Sequence, residues 1–263
     1  MSYEFIQVDL RGHVTTIMLN RPQVMNAIHK PMHAELQVAL DAFAGNAEQY
    51  ICVITGAGDR AFCAGSDLKA AAASTGIVGG GYPKNGYAGL TERFDLHKPL
   101  IAAVNGVAMG GGFEIALSCD LIVAAENARF ALPEPLVGAV ALGGGLHRLA
   151  RQIGLKQAMG MILTGRSVTA EEGARLGFVN EVVPAGELPA AVDRWCGQIL
   201  ECAPLAIRAS KETVMRGLDE PSLADGIRKQ ETYPCFAAWK RSEDALEGPR
   251  AFAEKRAPRW RGV

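Results

Sequence analysis

The chain has 263 residues, a formal net charge of −1 and 49% hydrophobic residues, which suit one large globular domain or a domain with an appendage. This near-neutral charge, with no basic and aromatic patch, argues against nucleic acid or a membrane surface as a partner. No apolar run approaches the ~20 residues that span a bilayer, and the N-terminal residues MSYEFIQVDL indicate a first strand instead of a targeting segment. We therefore expect a cytoplasmic protein whose six scattered cysteines are reduced thiols and not metal ligands.

Short β-type runs alternate with helical patterns in the first half of the chain. The predicted strands cover residues 13–20, 50–55, 100–106 and 120–126, and the predicted helices between them cover residues 30–43, 68–73 and 112–118. This order favours an α/β fold with parallel strand pairing.

Helical patterns dominate from residue 144 onward. The predicted helices cover residues 147–153, 157–163, 169–176, 187–201, 204–216 and 222–239. Thr169 is placed to cap one of them and Gly177 to end it. The sequence thus predicts an α/β core domain over residues 1–200 and a helical C-terminal region over residues 201–263.

Two glycine-rich segments are predicted to have ordinary structural roles. GAGDRA, residues 56–61, matches the spacing of a dinucleotide-binding loop, but Gly65 interrupts any helix that would follow it, so we interpret it as a turn after a strand. Residues 74–89, STGIVGGGYPKNGYAG, predict a mobile surface loop or lid.

The stretch FCAGSDLKAAA places Gly65, Ser66 and Asp67 directly before an alanine-rich helix. Backbone N–H groups at a helix start lack intrahelical acceptors, and glycine lets a ligand approach them closely. Capping of the helix by Ser66 or Asp67 is the structural alternative.

A second stretch, NGVAMGGGFEIALSCD, repeats this arrangement with three consecutive glycines, Gly110 to Gly112. Two N–H groups from separate loops can converge on one carbonyl oxygen and form an oxyanion hole. Glu114 lies in the first turn of the predicted helix, where the helix dipole favours its ionised form. A solvated glutamate is the alternative, although the apolar neighbours of Glu114 leave little room for exposure.

A second acidic residue, Glu134, lies between Pro133 and Pro135, which restrict the backbone around it. Two carboxylates near one water molecule perturb each other's pKa and permit acid and base chemistry on one substrate. Sequence reasoning alone leaves open whether Glu114 and Glu134 meet.

Several blocks of the chain carry a resemblance to a known family: NRPQVMNAI, ITGAGDRAFCAGSDLK, KPLIAAVNGVAMGGGFEIALSCDLIVAAENARFALPE, LTGRSVTAEEGARLGFVNEVVP and EGPRAFAEKRAPRW. In this order they resemble the crotonase (enoyl-CoA hydratase/isomerase) superfamily from end to end. Within it, SDLKAAA, GYAGLTE and the tail KRSEDALEGPRAFAEKRAPRW look most similar to enoyl-CoA hydratases of the carnitinyl-CoA dehydratase type.

The resemblance implies an α/β fold of the crotonase type, in which a spiral of ββα units precedes a helical C-terminal trimerisation region. The expected assembly is a homotrimer or a dimer of trimers. The implied activity is that of a lyase, an enoyl-CoA hydratase that adds or removes water across the 2,3-bond of an acyl-CoA thioester. No metal or further cofactor is implied, because coenzyme A is part of the substrate.

The resemblance also implies roles for particular residues. Glu114 and Glu134 would be the catalytic acids, and the N–H groups of Ser66 and Gly111 would form the oxyanion hole. The residues implied to bind the substrate or its CoA portion are Ala64, Ser66, Asp67, Leu68, Lys69, Gly111 and Lys255. Lys255 would reach the CoA phosphates, typically in a neighbouring subunit.

Three positions depart from the usual family pattern. Ala141 and Leu142 replace a Pro-Gly pair beside the acyl pocket, so Leu142 is expected to narrow the pocket or change the substrate. Ser66 replaces a more usual alanine, and Gln23 replaces a basic residue near the CoA end. An enoyl-CoA isomerase that uses one acid, and a non-catalytic acyl-CoA-binding homologue, remain as alternatives.

Overall fold

The computed structural model describes residues 3–72 and 81–263. Within them the strands are β1 (Ile6–Arg11), β2 (Val14–Leu19), β3 (Ile51–Gly56), β4 (Ala61–Cys63), β5 (Leu100–Val104), β6 (Val107–Met109), β7 (Leu121–Ala125), β8 (Arg129–Ala131), β9 (Val168–Thr169) and β10 (Glu181–Val183). The helices are α1 (Lys30–Gly45), α2 (Leu68–Ala72), α3 (Gly111–Ser118), α4 (Gly145–Gln152), α5 (Leu155–Thr164), α6 (Ala170–Leu176), α7 (Leu188–Leu200), α8 (Pro204–Gly217), α9 (Leu223–Lys229), α10 (Pro234–Lys240) and α11 (Glu243–Ala253).

The strands form two sheets whose members alternate along the chain. The six-stranded sheet has the order β1-β2-β3-β5-β7-β10, and the four-stranded sheet has the order β4-β6-β8-β9. The pairs β1/β2 and β8/β9 are antiparallel, and the remaining pairs are parallel. Each turn of the chain therefore contributes one strand to each sheet, as in β3-β4-α2 and β5-β6-α3. The predicted spiral of ββα units is confirmed.

The central strands and α1 supply much of the apolar core. All five residues of β5 are buried, as are the first four of β3. In α1 the buried apolar side chains follow the helical spacing expected of one packed face: Met32, Leu36, Ala39, Leu40 and Phe43.

The chain divides into two compact units. The first comprises Met1–Arg93 and Leu100–Asp193, and the second comprises Phe94–Pro99 and Arg194–Val263. Within the second unit, residues 201–263 carry helices α8 to α11, and the division of the chain at residue 200 into a core domain and a C-terminal trimerisation region stays a prediction.

Two sequence-based predictions in this part of the fold need correction. The single helix predicted over residues 222–239 is wrong, because α9 ends at Lys229 and α10 begins at Pro234, where proline has no N–H to continue the earlier helix. Residues 74–80 of the predicted loop lie outside the described residues. In the described remainder of that loop, residues 86–89 are buried, with Tyr87 only 1% exposed, whereas Gly81 and Lys84 are exposed.

The turn after β2 is held by Asn26, which is fully buried and has a φ of 56°. Its Nδ2 donates hydrogen bonds to the carbonyl oxygens of Ala57 and Ala61, at 3.0 and 2.8 Å, and its Oδ1 accepts one from the Arg21 N–H at 3.0 Å. Asn26→Asp removes both donated bonds. We expect it to lower the free energy of unfolding by about 2–4 kcal/mol, measured by urea denaturation at fixed protein concentration.

The exposed Asn46 offers a matched control for this substitution. Its Oδ1 accepts from the Glu48 N–H at 3.0 Å, a bond that a carboxylate can also accept. Equal stabilities of the Asn26→Asp and Asn46→Asp proteins would contradict the proposed role of Asn26.

Candidate active site

Two glycine-bearing loops meet at the start of α3. A Cβ atom built on Gly65 would lie 2.8 Å from the Met109 carbonyl oxygen and 3.2 Å from the Gly111 nitrogen, so the two loops are in contact. Within the described residues, neither the Ser66 N–H nor the Gly111 N–H donates a hydrogen bond. Two unused amide donors on adjacent loops are the arrangement that an oxyanion hole needs.

Close packing explains the glycines at residues 110–112. Gly110 has a φ of 51°, in the left-handed region that glycine adopts readily. A Cβ at Gly111 would lie 2.2 Å from Cζ of Tyr87, and a Cβ at Gly112 would lie 2.1 Å from the carbonyl oxygen of Cys63. Side chains are excluded at these two positions because the Tyr87 ring and the Cys63 backbone occupy the space.

Glu114 lies in the first turn of α3 and is only 3% exposed, so the alternative of a solvated glutamate is wrong. Its Oε1 accepts a hydrogen bond of 2.9 Å from the Gly145 N–H at the start of α4. A Cβ at Gly143 would lie 2.5 Å from Glu114 Oε2. The glycine turn at residues 143–145 therefore encloses the carboxylate and fixes its orientation.

Glu134 begins a short 3₁₀ helix, Glu134–Val137, directly after Pro133. Its Oε2 is buried and has no hydrogen-bond partner among the described residues. A Cβ at Gly110 would lie 2.9 Å from Glu134 Oε1, so this carboxylate borders the same glycine loop as α3. The structure thus brings Glu134 to the glycines that precede Glu114 at the start of α3.

Burial dominates the electrostatics of the two acids. It raises the pKa of Glu114 to about 7, a shift that the Gly145 N–H opposes and the charge of Glu134 increases. Burial also raises the pKa of Glu134 above its usual value. A carboxyl group with a pKa near neutral pH, as at Glu114, suits general acid and base chemistry.

The pH dependence of the reaction should follow from the pKa of Glu114. If Glu114 accepts the proton of water, only its ionised form is competent, so the hydration rate should rise as the pH increases through about 7. Glu134→Gln removes a negative charge that raises this pKa, so Glu114 should then ionise at lower pH. Titration of ¹³C-labelled glutamate side chains by NMR measures the shift directly.

Glu171, an exposed acid in the first turn of α6, provides the control for that titration. Glu171→Gln should leave the ionisation of Glu114 unchanged. A Glu114 resonance that titrates identically in the Glu134→Gln protein would show that the two carboxylates do not interact.

The loop implied to border CoA is anchored through Asp67. Its Oδ1 accepts from the Ala70 N–H at 3.1 Å, which caps α2, and its Oδ2 pairs with Arg21 Nη1 at 3.0 Å. The capping alternative is therefore confirmed for Asp67, while Leu68 and Lys69 are exposed. Ala64 and Ser66 are half-buried, and Lys255 is an exposed residue of the second unit with a φ of 55°.

A small cavity of about 90 Å³ lies beside Glu134. Its wall is mainly apolar and consists of Leu132, Glu134, Pro135, Ala139, Val140, Ala141, Leu146 and Ile162. Leu142 is not part of this wall, because its side chain is 59% exposed, whereas that of Ala141 is buried. Ala141 rather than Leu142 faces this cavity, and the expectation that Leu142 narrows the acyl pocket or changes the substrate stays a prediction.

Three further residues at the site were not identified from the sequence. Tyr87 packs on Gly111, and the pKa of Tyr82 is raised by burial and, to a lesser extent, by the negative charges of Glu114 and Glu134. Arg148 donates from Nη2 to the Thr91 carbonyl oxygen at 2.6 Å, and its charge favours the ionised form of Glu114. Tyr82 and Tyr87 belong to the segment predicted as a mobile loop. Their aromatic side chains were the feature of the sequence that could have indicated packing at the site.

Three potential metal ligands, His97, Glu212 and Cys235, lie within 4.8 Å of one another in the second unit. Both oxygens of the buried Glu212 are already used: Oε1 accepts from Arg216 Nε at 2.9 Å, and Oε2 accepts from the Cys235 N–H at 2.7 Å. Burial raises the pKa of the Cys235 thiol to about 11, which disfavours the thiolate that metals prefer. We therefore interpret this group as an ion-pair cluster.

Comparisons with known proteins agree with this architecture. The family model described as enoyl-CoA hydratase/isomerase matches residues 9–263. A carnitinyl-CoA dehydratase from Proteus mirabilis is 43% identical over 259 residues, with 98% of each chain covered. A carnitinyl-CoA dehydratase from Salmonella typhi is 44% identical over 261 residues, covering 98% of this chain and 99% of the relative.

Solved structures show the same similarity. The crystal structure of an enoyl-CoA hydratase from Mycobacterium tuberculosis H37Rv superposes with a TM-score of 0.90 at 38% identity, covering 98% of this chain and 99% of the other. That of an enoyl-CoA hydratase from Bacillus anthracis gives a TM-score of 0.89 at 33% identity, covering 99% and 100%.

The interleaved sheets and the two glycine-bearing loops, with the buried Glu114 and the half-buried Glu134 beside them, define an enzyme of the crotonase fold class. The chain belongs to the enoyl-CoA hydratase/isomerase family. Among the described residues, no helix has the length and apolar character that crossing a bilayer requires.

Proposed function

We propose that this protein is a hydro-lyase that adds water to, or removes it from, the 2,3-bond of an acyl-CoA thioester. The observation that carries the proposal is that the buried Glu114 and the half-buried Glu134 lie at two adjacent glycine-bearing loops, each of which offers one unused backbone donor. The carnitinyl-CoA dehydratases and enoyl-CoA hydratases to which the chain is similar support the same reaction.

In the proposed mechanism, each of the two backbone donors and the two acids acts once during hydration and once during dehydration. The N–H groups of Ser66 and Gly111 bind the thioester oxygen and stabilise the negative charge that grows on it. Glu114 takes a proton from water as the water oxygen bonds to Cβ, and Glu134 gives a proton to Cα. Dehydration reverses these steps. Every step is a proton transfer or a hydrogen bond, so we propose that no cofactor is needed beyond the coenzyme A that the substrate carries.

The acyl group that we propose is carnitinyl, with short enoyl chains as the wider class. The support comes from the relatives named carnitinyl-CoA dehydratase, which are 43–44% identical to this chain over nearly its whole length. The small side chains of Ala139 and Ala141 in the cavity wall leave room for a substituent on the acyl chain.

The function is tested by assaying the purified protein with crotonyl-CoA, carnitinyl-CoA and a 3-enoyl-CoA. With crotonyl-CoA we expect the absorbance of the enoyl thioester to fall as water is added. With carnitinyl-CoA we expect that absorbance to appear as water is removed. Formation of 2-enoyl-CoA from the 3-enoyl substrate without water uptake would indicate the isomerase instead. Tight binding of acyl-CoA with no turnover would indicate the non-catalytic homologue.

The oligomer that we propose is a homotrimer or a dimer of trimers. Several large apolar side chains of the second unit are more than half exposed, which is typical of a surface that another subunit covers: Val214, Met215, Leu218, Leu223, Ile227, Leu246 and Phe252. Light scattering during gel filtration measures the mass; a monomer at micromolar concentration would contradict the proposal. In the proposed assembly, Lys255 contacts the CoA phosphates of a neighbouring subunit, and the protein is cytoplasmic.

A further inference from the structure

Two hydroxyl groups lie beside the proposed oxyanion hole. The Ser66 hydroxyl donates a hydrogen bond of 3.4 Å to the hydroxyl oxygen of Tyr87. In this direction the bond leaves the hydrogen of the Tyr87 hydroxyl available for another acceptor.

Tyr87 extends across the site from one catalytic group to the other. A Cβ at Gly143, the glycine that faces Glu114, would lie 3.2 Å from Cβ of Tyr87. At the opposite end of the side chain, a Cβ at Gly111 would lie 2.5 Å from the Tyr87 hydroxyl oxygen. The hydroxyl group therefore lies next to both Gly111 and Ser66, the residues whose N–H groups are unused.

The orientation of Tyr87 is fixed by strong local constraints. The His33 ring meets the Tyr87 ring edge-on at 4.7 Å, and His33 Nδ1 accepts from the Ala88 N–H at 3.0 Å. Ala88 has a φ of 57°, a conformation that costs a non-glycine residue free energy and clusters at functional sites. The ring of Tyr82 packs against Tyr87 at 5.3 Å.

The negative charge that develops during the reaction explains why a donor at the position of this hydroxyl group would favour catalysis. Negative charge grows on the thioester oxygen close to Glu114 and Glu134, and like charges disfavour that growth. A further buried donor would offset the repulsion, because hydrogen bonds to a charged acceptor are strengthened away from water. Burial keeps the pKa of Tyr87 well above its usual value, so the group remains a neutral donor at neutral pH.

We propose that the Tyr87 hydroxyl is a third hydrogen-bond donor to the thioester oxygen, oriented by the hydroxyl of Ser66. This inference rests on the proposed hydratase function and adds a side-chain donor to the two backbone N–H groups. Tyr87 is on this reading a catalytic residue, and Ser66 acts twice, through its N–H and as a positioning residue through its hydroxyl.

The first test is Tyr87→Phe, which keeps the ring on Gly111 and removes only the donor. We expect kcat for crotonyl-CoA hydration to fall by about 10–100-fold while KM changes little. Tyr50→Phe is the matched control, since Tyr50 stacks on His13 at 4.2 Å, outside the site, and its substitution should leave kcat unchanged. Ser66→Ala should give a smaller loss, and no further loss when it is combined with Tyr87→Phe.

The second test separates hydrogen bonding from packing. The carbonyl stretching frequency of a bound saturated acyl-CoA, measured by Raman difference spectroscopy, should rise in Tyr87→Phe because the carbonyl loses a donor. Incorporation of 3-fluorotyrosine at position 87, a stronger donor of nearly the same shape, should lower it, and this variant serves if Tyr87→Phe does not fold. An unchanged frequency in the variant that is measured, whether or not kcat falls, would overturn the proposal. Because a saturated ligand needs no turnover, this result is independent of whether the hydratase function itself is upheld.

Discussion

Replacing Glu114 by Gln is expected to lower the rate of crotonyl-CoA hydration by about 10²–10⁴-fold, the range that positioned acid–base groups contribute. Gln has nearly the same shape and its side-chain oxygen can still accept from the Gly145 N–H, so the glycine turn at residues 143–145 should persist. The loss therefore reports on proton transfer from water. Single-turnover and steady-state rates with crotonyl-CoA measure it, and the affinity for a saturated acyl-CoA should change little.

Glu134→Gln should cause a loss of the same order for a different reason, because Glu134 is proposed to protonate Cα. When the reaction runs in deuterated water, wild-type enzyme should place deuterium at Cα of the 3-hydroxyacyl product. A Glu134→Gln protein that does so at the wild-type rate would contradict the role assigned to Glu134. Near-native hydration by either variant would refute the paired-acid mechanism, and the exposed Glu171→Gln provides the baseline.

The sequence predicts best those elements in which apolar, core-facing residues and polar, solvent-facing residues alternate with a clear period. Helix α1 starts at the predicted residue 30, and strand β3 matches the predicted run to within a residue at each end. Thr169 caps α6 as expected, its hydroxyl accepting from the Glu172 N–H at 3.1 Å. In each case the local pattern and the tertiary burial favour the same structure.

The second sheet was not predicted as such, because its strands are too short to show a period. Strands β4, β6 and β8 have three residues each, fewer than the run from which alternation can be read. Their position follows from pairing with one another across the spiral, a long-range property. Only the family resemblance indicated that each ββα unit has a second strand.

The candidate site, too, could be predicted from the sequence only in part. The glycines and the acids can be identified from the sequence. Three consecutive glycines, Gly110 to Gly112, shortly before a glutamate with apolar neighbours have few purely structural explanations. The mutual distances of these residues depended on the fold, as did the outward direction of Leu142. Tyr87 was missed because residues 74–89 are rich in glycine and polar residues, a composition that predicts a loop whether or not the loop is packed.

Replacing Gly111 by Ala is also expected to have a large effect. The added methyl group would lie 2.2 Å from Cζ of the buried Tyr87, so the ring or the start of α3 must move. Either movement displaces a donor from the oxyanion hole, and we expect kcat for crotonyl-CoA hydration to fall by about 10²–10³-fold. Overpacking should also cost about 1–3 kcal/mol of stability, which thermal unfolding would report separately.

A matched glycine distinguishes this effect from a general cost of Gly→Ala in a helix. Gly160 lies within α5, and a Cβ there would have no neighbour within 4 Å, so Gly160→Ala should leave kcat unchanged and raise helix stability slightly. Replacement of residue 111 by glycolic acid, which exchanges the N–H for an ester oxygen without adding a methyl group, removes the donor alone. If the ester protein hydrates crotonyl-CoA at the wild-type rate, the Gly111 N–H does not bind the thioester oxygen. If instead it loses as much rate as Gly111→Ala while remaining as stable as the wild type, backbone hydrogen bonding and not packing explains the glycine.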